Sequence, residues 1–382
     1  MKTAIAIALG GLLAAALVAC SGGNPAAVQK PVFYPADNPA KLSAWGMMDW
    51  SDQALSLNPG VVPYDLNSPL FSDYAGKLRT IWLPPGAAAG RYREADYPDF
   101  PVGTVITKTF YYQKGETAGA VLDAQPPKGR FDPVLETLNQ VHLVETRLLV
   151  HRDQGWDAVS YVWNHDQSDA ILTRIGDVKP LTLSRQDGAN DAFAYIVPDS
   201  NQCAGCHAPN NTSRKIVPLG IRPRHIDKPY QHNGDIVNQL QYLQRVGYLS
   251  GYDGTASVTR NADWNDTTAP IDFRARSYLD INCSHCHNPV GPADTSGLDL
   301  TMAATSGPEL GICKLPIAAG SGTGGRAFGI VPGAPDESIL LYRLETVRPG
   351  AMMPELGRSL AHAEGVELIR GWIADMTGDC SV

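Results

Sequence analysis

The pattern Cys-x-x-Cys-His occurs twice, as Cys203-Ala204-Gly205-Cys206-His207 and as Cys283-Ser284-His285-Cys286-His287. No other feature constrains the chain as much. Cysteines three apart on a helical turn lie on one face, roughly 5–6 Å apart at Cβ. Sulfurs at that spacing match the two vinyl groups on one porphyrin edge, and the histidine that follows can reach beneath the ring to bind iron axially. In an exported chain the pattern reads as covalent attachment of haem c. Zinc is the competing use, but a structural zinc site wants four ligands, usually from paired short motifs, and each copy here offers three. Two covalently bound haem c groups are therefore expected, attached at Cys203, Cys206, Cys283 and Cys286, with His207 and His287 as axial ligands. His285 lies between two cysteines, so it should point away from the iron of its own motif and face solvent.

Export is legible at the N-terminus. Lys2 supplies a positive charge, and Ala4 to Ala19 is an uninterrupted run of apolar residues and glycine. About sixteen residues fall short of the roughly 20 that a membrane span needs and suit the apolar part of a signal peptide. The run ends in Leu17-Val18-Ala19-Cys20, which resembles the bacterial lipoprotein cleavage box. That resemblance implies a signal peptide over residues 1–19 and a lipid anchor on Cys20. With Ser21 following rather than Asp, it implies sorting to the outer membrane, facing the periplasm or the cell surface. An ordinary secretory peptide with an incidental cysteine is the alternative. Residues 20–30 read as a short lipidated tether.

One cysteine for lipid and four for haem leave Cys313 and Cys380 of the seven present. An oxidising compartment favours a disulfide between them, worth about 4 kcal/mol on the chain-entropy account; two unrelated free thiols are the alternative. The net charge of −8 argues against nucleic acid, whose binding relies on Lys and Arg neutralising phosphates. It is compatible with docking to a basic patch on a redox protein partner.

The chain divides near residue 200. Residues 31–200 carry β signals: Thr104 to Tyr112 is rich in β-branched and aromatic residues, and Ala192 to Val197 is a shorter run of the same kind. Val141–Val150 and Trp156–Trp163 read as a hairpin around Arg152-Asp153-Gln154-Gly155. Residues 201–272 hold the first haem segment and 273–382 the second. Ala275, Tyr278, Leu279 and Asn282 follow helical spacing into Cys283. Val366, Ile369, Ile373 and Met376 form a second stripe, widened by Leu368 and Trp372. The glycine-rich stretch Gly320–Gly325 does not follow a strand and open a helix with a phosphate-binding lysine, so it is a loop.

The two helical stripes resemble the terminal helix pair of small monohaem cytochromes. Between them, Arg348-Pro349-Gly350-Ala351-Met352-Met353-Pro354 resembles the cytochrome loop that supplies a distal sulfur. Met353 is the expected sixth ligand of the second haem, with Met352 as local competitor. The expected architecture is an α+β multidomain chain: a β-rich N-terminal domain, then a haem-binding region ending in a mainly α, class I cytochrome c-like domain. No methionine lies between His207 and Cys283, so the distal position of the first haem stays open. His225 and His232 are the nearest candidates, followed by His142, His151, His165, Met47 and Met48, or no protein ligand at all. His362 reads as a surface or helix-start residue.

Val62-Pro63-Tyr64-Asp65-Leu66-Asn67-Ser68-Pro69-Leu70-Phe71-Ser72-Asp73-Tyr74, Glu145 to Leu149, Arg274 to Cys283 and Met353 to Arg358 together resemble the bacterial two-haem c-type cytochrome lipoproteins with a β-rich N-terminal domain. The resemblance covers nearly the whole mature chain. It implies haem ligation at Cys203, Cys206, His207, Cys283, Cys286, His287 and Met353, and it supplies no distal ligand for the first haem and no substrate. The expected role is single-electron transfer between periplasmic or cell-surface redox proteins. The alternative is a peroxidase-like haem oxidoreductase whose first iron is open and is fed by the second haem. A third reading is an interaction protein in which the β-rich domain matters more than the haems.

Overall fold

The computed structural model describes residues 30–50, 54–117, 119–123, 138–185, 188–232, 234–254, 260–305 and 307–380. The expected signal peptide and Cys20 lie outside them. In chain order the strands are β1 (Met48–Asp49), β2 (Ser56–Leu57), β3 (Val62–Tyr64), β4 (Gly76–Trp82), β5 (Gly90–Arg91), β6 (Val105–Lys114) and β7 (Ala120–Leu122). There follow β8 (Val141–Arg152), β9 (Gly155–Trp163), β10 (Ala170–Thr173), β11 (Asp177–Ser184), β12 (Asn190–Val197), β13 (Pro229–His232), β14 (Asp235–Asn238) and β15 (Leu249–Ser250). The helices are α1 (Ser200–His207), α2 (Pro223–Ile226), α3 (Gln239–Arg245), α4 (Ile271–Asn282), α5 (Ile339–Glu345) and α6 (Ala363–Ala374).

Nine of the strands form one sheet around β6, the strand whose composition most favours extended backbone. On one edge β6 pairs antiparallel with β8, and β8 continues through β9 to β10. On the other edge it pairs with β4 as far as Gly76, where β7 takes over and leads through a parallel pairing to β11 and then β12. The β8–β9 turn is tighter than the spacing suggests. Arg152 already pairs with Gly155, leaving Asp153 and Gln154 as a two-residue loop, with Gly155 at φ 112°, where a Cβ would be strained.

Alternation along the strands gives the sheet two different faces. On one, Leu78, Trp82, Val105 and Leu148 join Trp45, Met47 and Met48 from the N-terminal segment in a buried cluster. The hydroxyls of Thr80 and Thr107 meet at 2.6 Å on the same side. On the other face, Ile81 and Ile106 pack against Ile221, Ile226, Leu240 and Ile281 from the segment after α1. Register also aligns Arg79, Lys108 and Arg147 across β4, β6 and β8. The face that carries these three cations is thus the one covered by both Cys-x-x-Cys-His regions.

The C-terminal part corrects the expected mainly α domain. Helices α4 and α6, of 12 residues each, do form from their apolar stripes and pack together. Gly365 permits that crossing, because a Cβ there would collide with Tyr278 Oη and His362 Nδ1. Among the described residues the only further α-helix beyond Cys283 is the seven-residue α5. The chain from 283 to 338 is built of turns and short 3₁₀ segments at Asp294–Ser296, Pro308–Leu310, Gly320–Thr323 and Pro335–Glu337. Closely spaced Gly and Pro explain this, since neither sustains a helix interior. The fold is β-rich throughout its larger part, without a mainly α cytochrome c-like unit. Cys313 and Cys380 are joined by a disulfide with a Cα separation of 5.1 Å. Among the described residues no helix is long and apolar enough to cross a membrane.

Candidate functional site

The first motif occupies α1, which starts on a reciprocal cap: Asp199 accepts from Gln202 N at 2.8 Å, and Gln202 Oε1 accepts from Asp199 N at 3.0 Å. The helix packs against β9, and Cys203 is buried. Residue His207 closes the helix, and the following loop folds back so that Val217 N donates to His207 O at 2.8 Å. His207 Nδ1 lies 2.9 Å from Val217 O. A carbonyl only accepts, so Nδ1 carries the proton and Nε2 keeps its lone pair. Burial, aided by the Lys108 charge, pushes the His207 pKa down to about 3, which holds the ring neutral.

The second motif lies beyond the C-terminal end of α4 rather than on a helix. Cys286 N and His287 N both donate to Cys283 O, at 3.1 and 2.9 Å, in a tight turn. The side chain of Cys283 belongs to the buried cluster of Trp264, Tyr278, Leu300 and Val366. His287 Nδ1 stands 3.1 Å from Ser296 Oγ, whose own proton goes to Ala293 O at 2.7 Å. Ser296 therefore accepts, and His287 Nε2 is again the free nitrogen. Burial lowers the His287 pKa to about 4, with the Arg343 charge adding to it.

Both thiol pairs are held protonated. Burial raises the pKa of Cys203 and Cys206, and pushes Cys283 and Cys286 up to about 12. Among the described residues no three His, Cys, Asp or Glu side chains converge on a metal-sized point.

The two motifs touch. Cys286 Sγ lies 3.8 Å from Gly205 O, Asn288 Nδ2 donates to Pro209 O at 3.2 Å, and Asn211 N donates to Val290 O at 2.7 Å. One cleft is walled by Cys203, Cys206, His207, His285, Lys108, Arg147 and the segment Pro354–Arg358. Half-buried Met353 sits at the head of that segment. Its N–H donates to Arg343 O at 2.8 Å and its carbonyl accepts from Arg358 Nε at 3.0 Å. Arg343 is the same residue whose charge acts on His287, so the Met-Pro loop adjoins the second motif as well.

The distal candidates for the first motif are mostly placed elsewhere. His225 lines an adjoining cavity, with Nε2 3.7 Å from Asp280 Oδ2. His232 stacks on Tyr242 at 3.7 Å and lines neither cavity. The His151 ring stacks on Trp156 and its Nδ1 pairs with Phe100 O. Met47 and Met48 are buried on the opposite face of the sheet. His142 lies on β8 and His165 in the turn before β10, and neither enters the cleft. His362 does begin α6, but it is buried against Phe71 at 4.3 Å, not on the surface.

Two features of the cleft escaped the sequence. His285 is half-buried rather than freely exposed, and it lines the wall shared by the two cavities. The cation row arises only from strand register. Within it Arg79 pairs with Asp65 at 3.1 Å and Arg147 with Glu145 at 2.5 Å, whereas Lys108 has no carboxylate partner among the described residues. Burial and the Arg147 and Arg79 charges lower the Lys108 pKa to about 7.

No family model matches the chain, and no curated protein and no solved structure matches it either.

Proposed function

We propose that the chain is a two-haem electron carrier of the c type, exported and tethered to the outer membrane through a lipid on Cys20. The observation that carries this reading is the meeting of the two Cys-x-x-Cys-His segments, with Cys286 Sγ 3.8 Å from Gly205 O although 81 residues separate them in sequence. Each segment presents the side chains that covalent haem requires: two neutral thiols and an imidazole whose Nδ1 is occupied and whose Nε2 is free. Bound there, the two groups would each take up and release a single electron, at potentials set by axial ligands and burial.

Cys203 and Cys206 would hold the first group, with His207 as its proximal ligand. Cys283 and Cys286 would hold the second, with His287 proximal and Met353 distal. Arg358 braces the Met-Pro loop by donating to Met353 O, Arg343 O, Thr346 O and Leu360 O, each at 3.0 Å. Redox proteins are the proposed partners on both sides of the transfer. Protein purified from a host with haem-attachment machinery is expected to carry two covalently bound haems by mass, each reducible by one electron. A chain that matures without covalent haem, or that instead binds zinc at the motif cysteines, would overturn the proposal.

A further inference from the structure

We infer that His285, the residue between the cysteines of the second motif, is the distal ligand of the first haem. The inference rests on the two-haem reading above and adds a cross-connection between its sites.

A residue between the two attachment cysteines points away from the iron of its own motif. What it meets depends on what packs behind that motif, and here that is the cleft of the first. His285 lines this cleft together with His207, Cys203 and Cys206. Neither of its ring nitrogens has a hydrogen-bond partner among the described residues, whereas His207 and His287 each have Nδ1 engaged. With no protein partner for either nitrogen, the half-buried ring is available for coordination within the cleft.

The segment is also held in place. Ser284 Oγ donates to Asp280 O at 2.5 Å, and Asn288 Nδ2 donates to Ser284 O at 2.8 Å. The same Asn288 amide reaches Pro209 O at 3.2 Å, two residues beyond His207. His285 is therefore fixed relative to His207 by contacts that do not involve its own ring. The alternatives are weaker on position. His225 faces Asp280 in the adjoining cavity, which His207 does not line. Lys108 does line the cleft, but it extends from β6 over the Phe110 ring, 5.2 Å from its centroid.

The test compares His285→Ala, His225→Ala and Lys108→Ala in the full-length, haem-loaded protein. Covalent haem is counted by mass and spin state is read by electron paramagnetic resonance. His285→Ala is expected to retain two haems while one of them changes from low-spin to high-spin, and added imidazole is expected to restore it. The other two variants should keep both haems low-spin. Two low-spin haems in His285→Ala would overturn the inference, as would a high-spin haem already present in the unaltered protein or one appearing in Lys108→Ala or His225→Ala. Should His285→Ala fail to accumulate, His285→Met is expected to add a second sulfur-to-iron charge-transfer band, and an unchanged near-infrared spectrum would count against the idea. Absence of covalent haem in the unaltered chain would instead sink the underlying two-haem reading, so the two failures are distinct.

Discussion

The two motif segments are held by opposite means. The first rides on a capped helix laid against a nine-stranded sheet, and its histidine is oriented by a backbone carbonyl. The second sits past the end of a helix, inside a core made largely of turns, and its histidine is oriented by a side-chain hydroxyl. A sheet fixes its neighbours through many short-range ladders. A turn-built core depends on a few ties between distant residues, and here those are the disulfide, the α4–α6 crossing and the Arg358 fan. The first site should therefore be robust to single substitutions and the second sensitive to them.

The largest difference is expected on removing the disulfide. Replacing Cys313 and Cys380 by serine, which releases a 67-residue separation, should cost about 4 kcal/mol on the chain-entropy account. The loss should fall on the second half. Denaturant melts followed by hydrogen exchange should show β6 and β8 unaffected, and equal loss of protection in the sheet would erase the contrast between the two sites.

A smaller effect is expected from acid, on the sheet side. His232 is buried with neither ring nitrogen partnered, and burial first, then the Arg245 charge, lowers its pKa from 6.5 to about 4. The unfolded chain thus takes up a proton near pH 6.5 that the folded chain refuses. Stability from the neutral ring is complete above pH 6.5 and drains as pH falls toward 4. His232→Phe keeps the stack on Tyr242 and removes the titration. Each pH unit below 6.5 is worth at most about 1.36 kcal/mol, and solvent screening trims that. The variant should therefore gain about 1 kcal/mol over the parent at pH 5. A gain at pH 5 no larger than that at pH 7.5 would show that the ring does not titrate in this way.

The smallest effect separates the two histidines. Ser296→Ala takes away the acceptor of His287 Nδ1, a change with no counterpart at His207, whose acceptor is backbone. The loss is on the order of 1 kcal/mol. On the proposed two-haem reading, a less basic imidazole should raise the potential of the group held at His287 by some tens of millivolts, since about 59 mV is tenfold for one electron. A redox titration in which the other haem moves instead would reverse the assignment of the two sites.

Local patterns in the chain were readable where one element decides its own structure. The β-branched run at Val105–Lys114, the β8–β9 hairpin and the stripes of α4 and α6 all form close to their expected limits. What was not readable depends on relations between elements. Two good helical stripes do not state how much helix lies between them, and so a mainly α unit was expected where Gly and Pro impose turns. The three-residue β7 is too short to signal itself, yet it joins β6 to β11 and so sets the order of the sheet. The alignment of Arg79, Lys108 and Arg147 is a matter of register, which no single strand encodes. His285 was expected in solvent because the packing of one motif on the other brings together residues far apart in sequence.

Asp280, at the end of α4 just before the second motif, acts as an electrostatic anchor. Its fully buried carboxylate accepts from Asn261 Nδ2 at 2.9 Å and Met302 N at 3.1 Å, and it faces Arg224 Nη1 at 3.5 Å. These partners come from three segments that surround the two motifs. Together they offset the cost of holding a charge away from water, which without them would amount to several kcal/mol. On the proposed two-haem reading, one buried carboxylate thus ties the base of the second motif to the chain around α2, alongside the Asn288 contact that joins the two motifs directly.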